Sequence, residues 1–324
     1  DIESGKLLGS FPFAVASISK TERFNYLFGY SAAFAKVGSE VGGIAQYCAA
    51  ELATKTVSEF ETVNVYRKNA FYDIYRNPIS VSASGNSLYL LYDQYGLIGK
   101  YDTTSSTETA FAPLKYVPSR IASGSNYIAV SFKTANAIYI APENDISNGI
   151  YVEINSVCTD IFIANGRVYA VIGGRLYHRA LENGNFTATA INCTEAKSNG
   201  ESIFALNGNM LSVYNANLTP INRIAVRGDN LFVGNGVVVG NTLYHGENFR
   251  ESVDLGGEVF AMKGNTVITE DGVFSIAENR FVGNVGVDVQ IAVIGDNNKA
   301  FCFGKGVVSV CGYDNGNEIT SIPQ

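Results

Sequence analysis

Short runs of alternating apolar and polar residues, separated by glycine and asparagine, fill most of the chain. Alternation of this length is typical of half-buried β-strands, whereas a helix repeats its apolar positions every three or four residues. Asn165-Gly166, Asn207-Gly208 and Asn235-Gly236 are the strongest hairpin signals, because a type I′ turn needs positive φ at both central residues. Only Ile44–Leu52 fits a short helix as well as a strand. The pattern predicts an all-β protein with less than ~10% helix.

A repeated unit runs along residues 80–324. Its clearest copies share an aliphatic-aromatic pair, a few strand residues and Glu-Asn at a turn, and they are Asn136–Asn144, Gly174–Asn183, Asn241–Asn248 and Gly272–Asn279. Looser copies surround Leu97–Asp102, Met210–Asn215 and Val307–Asp314. The aromatic residues of the units recur every 30 to 38 positions, at Tyr101, Tyr139, Tyr177, Tyr214, Tyr244 and Phe274.

A unit of this length holds three or four short strands and cannot bury both of its faces alone. Stacking such units around an axis buries the faces, and closing the ring protects the strand edges. The sequence therefore predicts a β-propeller with seven blades, and eight blades are a close alternative. Residues 80–324 form the propeller repeats, while residues 1–79 form a strand-rich segment that is either one or two extra blades or a cap.

One unit carries a resemblance to a known repeat. WD repeats and sialidase Asp-boxes both require tryptophan, which the chain lacks. The segment Ser87–Ser105 has an apolar-Tyr strand, a short turn, an aliphatic strand, and then Asp-Thr followed by small polar residues. It resembles the surface-layer type of propeller repeat. The resemblance implies a secreted or cell-surface binding scaffold, and it carries over no catalytic residues.

Charge and hydropathy narrow the choice of partners. The formal net charge is −7, so the sequence offers no basic surface for nucleic acid. No apolar run approaches the ~18 residues needed to cross a bilayer, so we expect no membrane insertion. The chain opens at Asp1, which fits a mature protein after removal of a signal peptide and equally a trimmed chain.

Candidate catalytic and metal-binding residues are few. His178 and His245 are the only histidines, and both follow Leu-Tyr at positions where other repeats place Ile140 or Ser275. A position that accepts such different side chains is a strand position, so we expect no catalytic residues. Five cysteines without a C-x-x-C spacing do not support zinc.

No cofactor is expected, and calcium is a minor possibility. The oxygen-rich turns that would bind it are Glu143-Asn144-Asp145, Asp296-Asn297-Asn298 and Asp314–Glu318. None of them has the complete ligand pattern of an EF-hand loop, so solvated turns are the commoner reading.

A candidate disulfide and three candidate glycosylation sites bear on the cellular compartment of the protein. Cys158 and Cys193 begin Cys-Thr-Asp and Cys-Thr-Glu at equivalent places before two successive units. A disulfide between them is one hypothesis, and two buried free thiols are the other; a disulfide would indicate an oxidising compartment. Asn185, Asn192 and Asn217 begin three glycosylation sequons, which mark an outer rim if the protein is secreted from a glycosylating cell.

Together these features predict a non-enzymatic propeller that is extracellular or displayed on a cell envelope or virion. It would bind a glycan or protein partner, and a homo-oligomer or larger assembly is compatible with this prediction. One alternative is a secreted propeller enzyme acting on glycans or lactones with carboxylates or a metal in the central channel. The other is an architectural subunit of a surface assembly.

Overall fold

The computed structural model describes residues 78–92, 96–104, 107–296, 299–304, 307–312 and 317–323, together with four strands nearer the N-terminus. Those four strands pair in chain order as one antiparallel sheet and are β1 (Ala14–Lys20), β2 (Asn25–Tyr30), β3 (Gln46–Glu51) and β4 (Phe60–Asn64). The segment that fits both a helix and a strand contains β3, so it is a strand.

Seven further four-stranded sheets follow, and in each the strands pair antiparallel in chain order. We call them blades 1 to 7. Their strands are β5 (Ser80–Ser84), β6 (Ser87–Tyr92), β7 (Leu97–Asp102) and β8 (Thr107–Pro113) in blade 1; β9 (Pro118–Gly124), β10 (Tyr127–Phe132), β11 (Ala137–Pro142) and β12 (Ile150–Glu153) in blade 2; β13 (Cys158–Ala164), β14 (Arg167–Ile172), β15 (Arg175–Ala180) and β16 (Thr187–Asn192) in blade 3; β17 (Glu195–Ser198), β18 (Ser202–Asn207), β19 (Met210–Asn215) and β20 (Pro220–Ala225) in blade 4; β21 (Leu231–Val233), β22 (Val237–Val239), β23 (Thr242–His245) and β24 (Glu251–Asp254) in blade 5; β25 (Val259–Lys263), β26 (Thr266–Thr269), β27 (Gly272–Ser275) and β28 (Arg280–Gly283) in blade 6; and β29 (Val289–Ile294), β30 (Lys299–Gly304), β31 (Val307–Gly312) and β32 (Asn317–Pro323) in blade 7.

The seven blades close into a ring. The first strand of each blade lies against the first strand of the next, and β29 of blade 7 lies against β5 of blade 1. The protein is a seven-bladed β-propeller, as predicted, and the alternative of eight blades is wrong because blade 7 packs directly on blade 1. Within the described residues the one helical segment is a single 3-10 turn, Glu247–Phe249, which confirms the all-β prediction. The division at residue 79 and the role of residues 1–79 stay predictions.

The repeat found in the sequence is the third strand of the blade. Each of its seven copies overlaps the third strand of a different blade. The aromatic residues of the first six copies pack in apolar clusters shared with the preceding blade, and they are Tyr101, Tyr139, Tyr177, Tyr214, Tyr244 and Phe274. The period of the repeat therefore reflects inter-blade packing, since a blade buries its faces only against its neighbours.

Tight turns join the strands within each blade. At Asn165-Gly166, between β13 and β14, φ is 50° for Asn165 and 70° for Gly166. Positive φ at both central residues is the type I′ geometry, whose twist matches that of the flanking strands. The Asn-Gly signal therefore predicts this hairpin correctly.

The seam between blades 7 and 1 differs from the other six interfaces. At the other six interfaces the two blades follow each other along the chain, whereas blade 7 is the last blade of the ring and blade 1 the first. Among the described strands, the sheet of blade 7 contains only strands from its own stretch of chain, and none from the start of the ring. Phe301 and Phe303 of β30 pack there against Leu88 and Leu90 of β6, and all four side chains are fully buried. Side-chain packing therefore joins the two blades across the seam.

Candidate functional site: the central channel

The first strands of the blades surround a central cavity of about 930 Å³. Its wall has two unlike arcs. On β9, β13 and β17 the wall carries the charged residues Arg120, Asp160 and Lys197. Across the ring, β21, β25 and β29 present mostly apolar residues, among them Phe232, Phe260, Met262 and Val293. A concave surface with a few polar groups facing an apolar wall is the usual setting of a ligand site.

Asp160 is the central residue of the charged arc. Its side chain is only 1% exposed, and its carboxylate is satisfied by groups of blade 4. Lys197 Nζ lies 2.5 Å from Oδ1, and the backbone N–H of Ala196 donates to Oδ2 at 3.1 Å. Arg120 of blade 2 approaches less closely, with Nε 3.9 Å from Oδ1. One buried carboxylate thus joins three blades at the channel wall.

Glu195 repeats this arrangement one blade further round. Its Oε2 accepts a hydrogen bond from the backbone N–H of Leu231 in blade 5 at 2.9 Å. Its Oε1 lies 3.7 Å from Lys197 Nζ, so the ammonium group stands between two carboxylates. Burial raises the pKa of Glu195, and Lys197 opposes that shift. Asp160 and Glu195 therefore both link one blade to the next.

Hydroxyl and amide groups make similar links elsewhere in the ring. Between blades 1 and 2, Ser82 Oγ accepts a hydrogen bond from the backbone N–H of Ser123 at 2.9 Å. Between blades 5 and 6, the backbone N–H of Asn235 donates to Gly264 O at 2.7 Å, and Asn235 Nδ2 donates to Asn265 Oδ1 at 2.8 Å. These bonds satisfy backbone groups that face the channel, which a buried sheet edge requires.

The sequence contains a signal for the two carboxylates. Asp160 and Glu195 are the third residues of Cys-Thr-Asp and Cys-Thr-Glu, the pair of motifs singled out for their cysteines. The acidic residue, and not the cysteine, links neighbouring blades in both motifs. No sequence pattern marks Arg120 or Lys197, because single basic residues on short strands are common.

Asp296 links three blades at the opposite end of the inner strands. The backbone N–H of Gly85 in blade 1 donates to Asp296 Oδ2 at 2.8 Å, and Lys263 of blade 6 pairs with Oδ1. Partial burial opposes ionisation, but the bonds from Lys263 and Gly85 outweigh it, so the pKa of Asp296 is lowered. Ionised Asp296 therefore links blade 7 to blade 1 across the seam, and also to blade 6.

The link through Asp296 predicts a pH dependence. A carboxyl whose pKa is lower in the folded state stabilises the fold above its unfolded pKa of about 4, and this stabilisation is lost as pH falls through the folded pKa. Asp296→Asn should be less stable than the wild type at pH 7, and the difference should shrink as pH falls below about 4. Urea unfolding at a series of pH values from 3 to 7 measures the free energy of unfolding of both proteins. A difference that stays constant over this range contradicts the assignment.

Neither histidine lies at the channel. His178 is on β15 and His245 on β23, the third strands of blades 3 and 5, and neither belongs to the cavity wall. Partial burial, with a smaller contribution from Arg167, lowers the pKa of His178. His245 Nδ1 lies 3.7 Å from Glu251 Oε2 on the neighbouring strand. Both are strand positions, as the repeat alignment indicates.

A double substitution tests this reading of the histidines. His178→Ala with His245→Ala should leave ligand binding at the channel unchanged, because neither side chain reaches the cavity. The free energy of unfolding should fall by about 1 kcal/mol per site. Binding and thermal unfolding of the double variant measure both effects. A folded double variant that has lost binding contradicts the strand assignment.

A disulfide between Cys158 and Cys193 is one of the two hypotheses for these residues, and the structure shows none. Both cysteines are free and buried, and they belong to different apolar clusters. Cys158 packs between blades 2 and 3, whereas Cys193 packs between blades 3 and 4. Equivalent positions on successive blades face successive interfaces, so blade 3 itself separates the two thiols. The alternative of two buried free thiols is therefore the correct one.

These two thiols should be unreactive in the folded protein. Burial raises the pKa of Cys158 and of Cys193 to about 12, so almost no reactive thiolate forms at pH 8. Iodoacetamide should modify both only after unfolding, and peptide mass spectrometry measures the extent. Rapid labelling of either residue in the native protein would contradict the structure.

The predicted glycosylation positions are accessible. Asn185, Asn192 and Asn217 are all exposed. Asn185 precedes the outermost strand of blade 3, Asn192 ends that strand, and Asn217 lies in the turn before the outermost strand of blade 4. Their location fits an outer rim, while their modification stays a prediction.

Two of the oxygen-rich turns have other partners in the structure. Lys100 Nζ donates to the backbone oxygen of Glu143 at 2.7 Å, and Asp145 Oδ1 accepts from Ser147 Oγ at 2.7 Å. Asp296 binds Lys263 and Gly85. Asn297, Asn298 and residues 314–316 lie outside the described residues. Over the described part of the chain, no three Asp, Glu, His or Cys side chains converge as a metal site would require.

In the part of the chain that the structure describes, no helix has the length and apolar character needed to traverse a bilayer.

Comparisons with known proteins identify solved structures that share the fold, but they identify no protein related by sequence. No family model matches the chain, and none of the curated proteins matches it.

Among solved structures, the dihydro-heme d1 dehydrogenase NirN is similar with a TM-score of 0.56 and 11% identity, over 87% of this chain and 72% of NirN. PorZ, a surface component of the type-IX secretion system of Porphyromonas gingivalis, has a TM-score of 0.52 and 13% identity, over 96% of this chain and 45% of PorZ. AztD from Citrobacter koseri has a TM-score of 0.50 and 12% identity, over 86% of this chain and 91% of AztD. At such identities, the similarities show that the chain shares the β-propeller fold and assign it to no family.

Proposed function

We propose that this protein is a non-enzymatic binding propeller, displayed on a cell envelope or virion, whose glycan or protein partner contacts the ring at the central channel. The surface location rests on the resemblance of Ser87–Ser105 to the surface-layer type of repeat. The binding role rests on the chemistry of the channel wall. A rigid ring with one charged arc supplies a prearranged surface, which lowers the entropic cost of binding.

The observation that carries the proposal is the state of the two carboxylates. Asp160 accepts hydrogen bonds from Lys197 and Ala196, and Glu195 accepts one from Leu231. A carboxylate that holds neighbouring blades together is poorly placed to exchange protons with a substrate. Arg120 is different, because its side chain is 47% exposed and its one ionic contact is long. The charged arc of Arg120, Asp160 and Lys197 therefore offers a cation for recognition, while its carboxylate is already engaged.

One feature favours the enzyme alternative. Burial raises the pKa of Glu195, which contacts Lys197 of the cavity wall, and a raised carboxyl pKa is a common property of a general acid. The hydrogen bond from Leu231 to Glu195 argues for a structural role. Glu195→Gln keeps the acceptor for that hydrogen bond and removes the titratable proton, so it separates the two roles.

The test compares the wild type with Arg120→Gln and with the matched control Arg223→Gln, on the exposed outermost strand of blade 4. Each protein is applied to glycan and peptide arrays, and the bound compounds are analysed by mass spectrometry for turnover. We expect binding without turnover, lost in Arg120→Gln and retained in Arg223→Gln.

Two results would overturn the proposal. Turnover of a glycan or lactone that disappears in Glu195→Gln would establish the enzyme instead. Ordered self-assembly of the protein without any ligand on either array would favour the architectural subunit.

A further inference from the structure

We propose that the channel recognises a carboxylate attached to an apolar body, with Arg120 at the carboxylate and the apolar arc against the body. This inference rests on the proposed function, because it takes the channel as the binding surface, and it adds the chemical class of the ligand. It follows from three properties of the cavity: the exposure of Arg120, the pairing of the other cations in the wall and the composition of the opposite arc.

Arg120 is available to a ligand. Asp160, the carboxylate nearest to it, is already satisfied by Lys197 and by a backbone N–H, and it meets Arg120 only at Nε across 3.9 Å. Across the described residues, no acceptor forms a hydrogen bond with the terminal nitrogens of Arg120. A guanidinium group presents its donors as a planar fork that matches the two oxygens of a carboxylate. Asp160 thus lies near Arg120 without occupying its hydrogen-bond donors.

The other two cations that line the cavity are already paired. Lys197 lies between Asp160 and Glu195, and Lys263 pairs with Asp296. Arg120 is therefore the cation of the wall that remains for a ligand of opposite charge. One available guanidinium fits a ligand with a single negative group better than a multiply charged phosphate.

The apolar arc determines the chemical character of the part of the ligand beyond its carboxylate. Phe232 and Met262 pack between blades 5 and 6, and Phe260 packs between blades 6 and 7, yet each keeps part of its surface exposed at the cavity. Val293 is similarly half-buried. An apolar body laid on these side chains would remove their remaining surface from water. The hydroxyl groups of an acidic sugar would gain no hydrogen bond from these four side chains and would need the polar part of the wall instead.

Octanoate is the probe, measured by isothermal titration calorimetry on the full chain. Octanol keeps the apolar tail and lacks the charge, while glucuronate keeps the carboxylate and lacks the tail. We expect octanoate to bind, and both control compounds to bind at least about tenfold more weakly, because each loses one of the two contacts. Arg120→Gln should weaken octanoate binding by about 10- to 100-fold, the usual effect of losing a charge-assisted pair.

Variants separate the two contacts. Arg223→Gln should bind octanoate as the wild type does. Met262→Gln, nearly equal in size, should weaken octanoate binding several-fold and leave acetate binding unchanged. Circular dichroism and melting temperature confirm that each variant is folded. A peptide ending in two leucines, compared with its C-terminal amide, tests whether a protein terminus supplies the carboxylate and the apolar body. Binding of octanoate but not of the peptide would identify a free acid and contradict the glycan or protein partner of the proposed function.

Several results would overturn the inference. The first is that the wild type does not bind octanoate, and the second is that folded Arg120→Gln binds octanoate as tightly as the wild type does. The third is that octanol binds as tightly as octanoate, or the peptide amide as tightly as the peptide acid. The fourth is that glucuronate binds as tightly as octanoate. The last result would point to an acidic glycan. If octanoate fails while an array ligand still depends on Arg120, the proposed function stands and only this inference falls. If no ligand depends on Arg120, both fall.

Discussion

Asp160→Ala is expected to lower the free energy of unfolding by about 3 kcal/mol. The substitution leaves the ammonium group of Lys197 without its closest partner and the backbone N–H of Ala196 without an acceptor. Removing one member of a buried ion pair costs about 3–5 kcal/mol. We expect the lower end here, because 26% of the Lys197 side chain is exposed and water can partly replace the carboxylate. Urea unfolding measures the change.

The controls for Asp160 separate its charge from its hydrogen bond. Asp160→Asn keeps an acceptor for Ala196 and should cost less than the alanine variant. Asp288→Ala removes an exposed carboxylate and should change stability by less than about 0.5 kcal/mol. The double variant Asp160→Ala with Lys197→Ala should cost less than the sum of its parts, because the two residues form one interaction. An Asp160→Ala protein as stable as the wild type would refute the role of this link.

Phe303→Ala is expected to cost about 3–5 kcal/mol and to open the seam selectively. Phe303 is fully buried between blades 7 and 1, where packing replaces a shared strand. Deleting a large core side chain removes its contacts and leaves a cavity. Because no chain connection joins blades 7 and 1 directly, the lost packing should release β5, β6, β29 and β30 before the other blades unfold. Hydrogen exchange of these strands measures the opening.

A comparison with another interface makes the prediction specific. Phe204→Ala removes a side chain of the same size between blades 4 and 5, which follow each other along the chain. It should lower global stability by a similar amount without selective exchange at the seam. Phe281→Ala changes a 40% exposed residue on an outermost strand and should cost about 1 kcal/mol or less. If Phe303→Ala and Phe204→Ala give the same pattern of exchange, the seam is not the weak point of the ring.

The links in the channel wall have a consequence for ligand recognition. The carboxylates of Asp160, Glu195 and Asp296 all bind groups of neighbouring blades, and Asp160 also lines the cavity. A ligand at Arg120 would therefore meet a wall whose geometry is set before binding. We expect little rearrangement on binding, because each inner strand is held on both sides by its neighbours.

The sequence determined the strands, the turns and the repeat. Alternation, Asn-Gly turns and the recurrence of Tyr139, Tyr177 and Tyr244 are local patterns, and local patterns predict elements well. The apolar composition of each unit also required burial on both faces, which favours a closed ring. The sequence alone left seven and eight blades nearly equal, because a blade count depends on how the last blade meets the first.

Only the tertiary structure decided the site. Arg120, Asp160 and Lys197 lie on three different blades. Asp160 is 40 residues from Arg120 and 37 from Lys197 along the chain, and the closed ring brings the three together. The same geometry separated Cys158 from Cys193, because equal positions in successive units face different interfaces. Residues at equivalent positions of two repeat units lie at the same distance from the axis of the ring. Whether they contact each other depends on which neighbouring blade their side chains face.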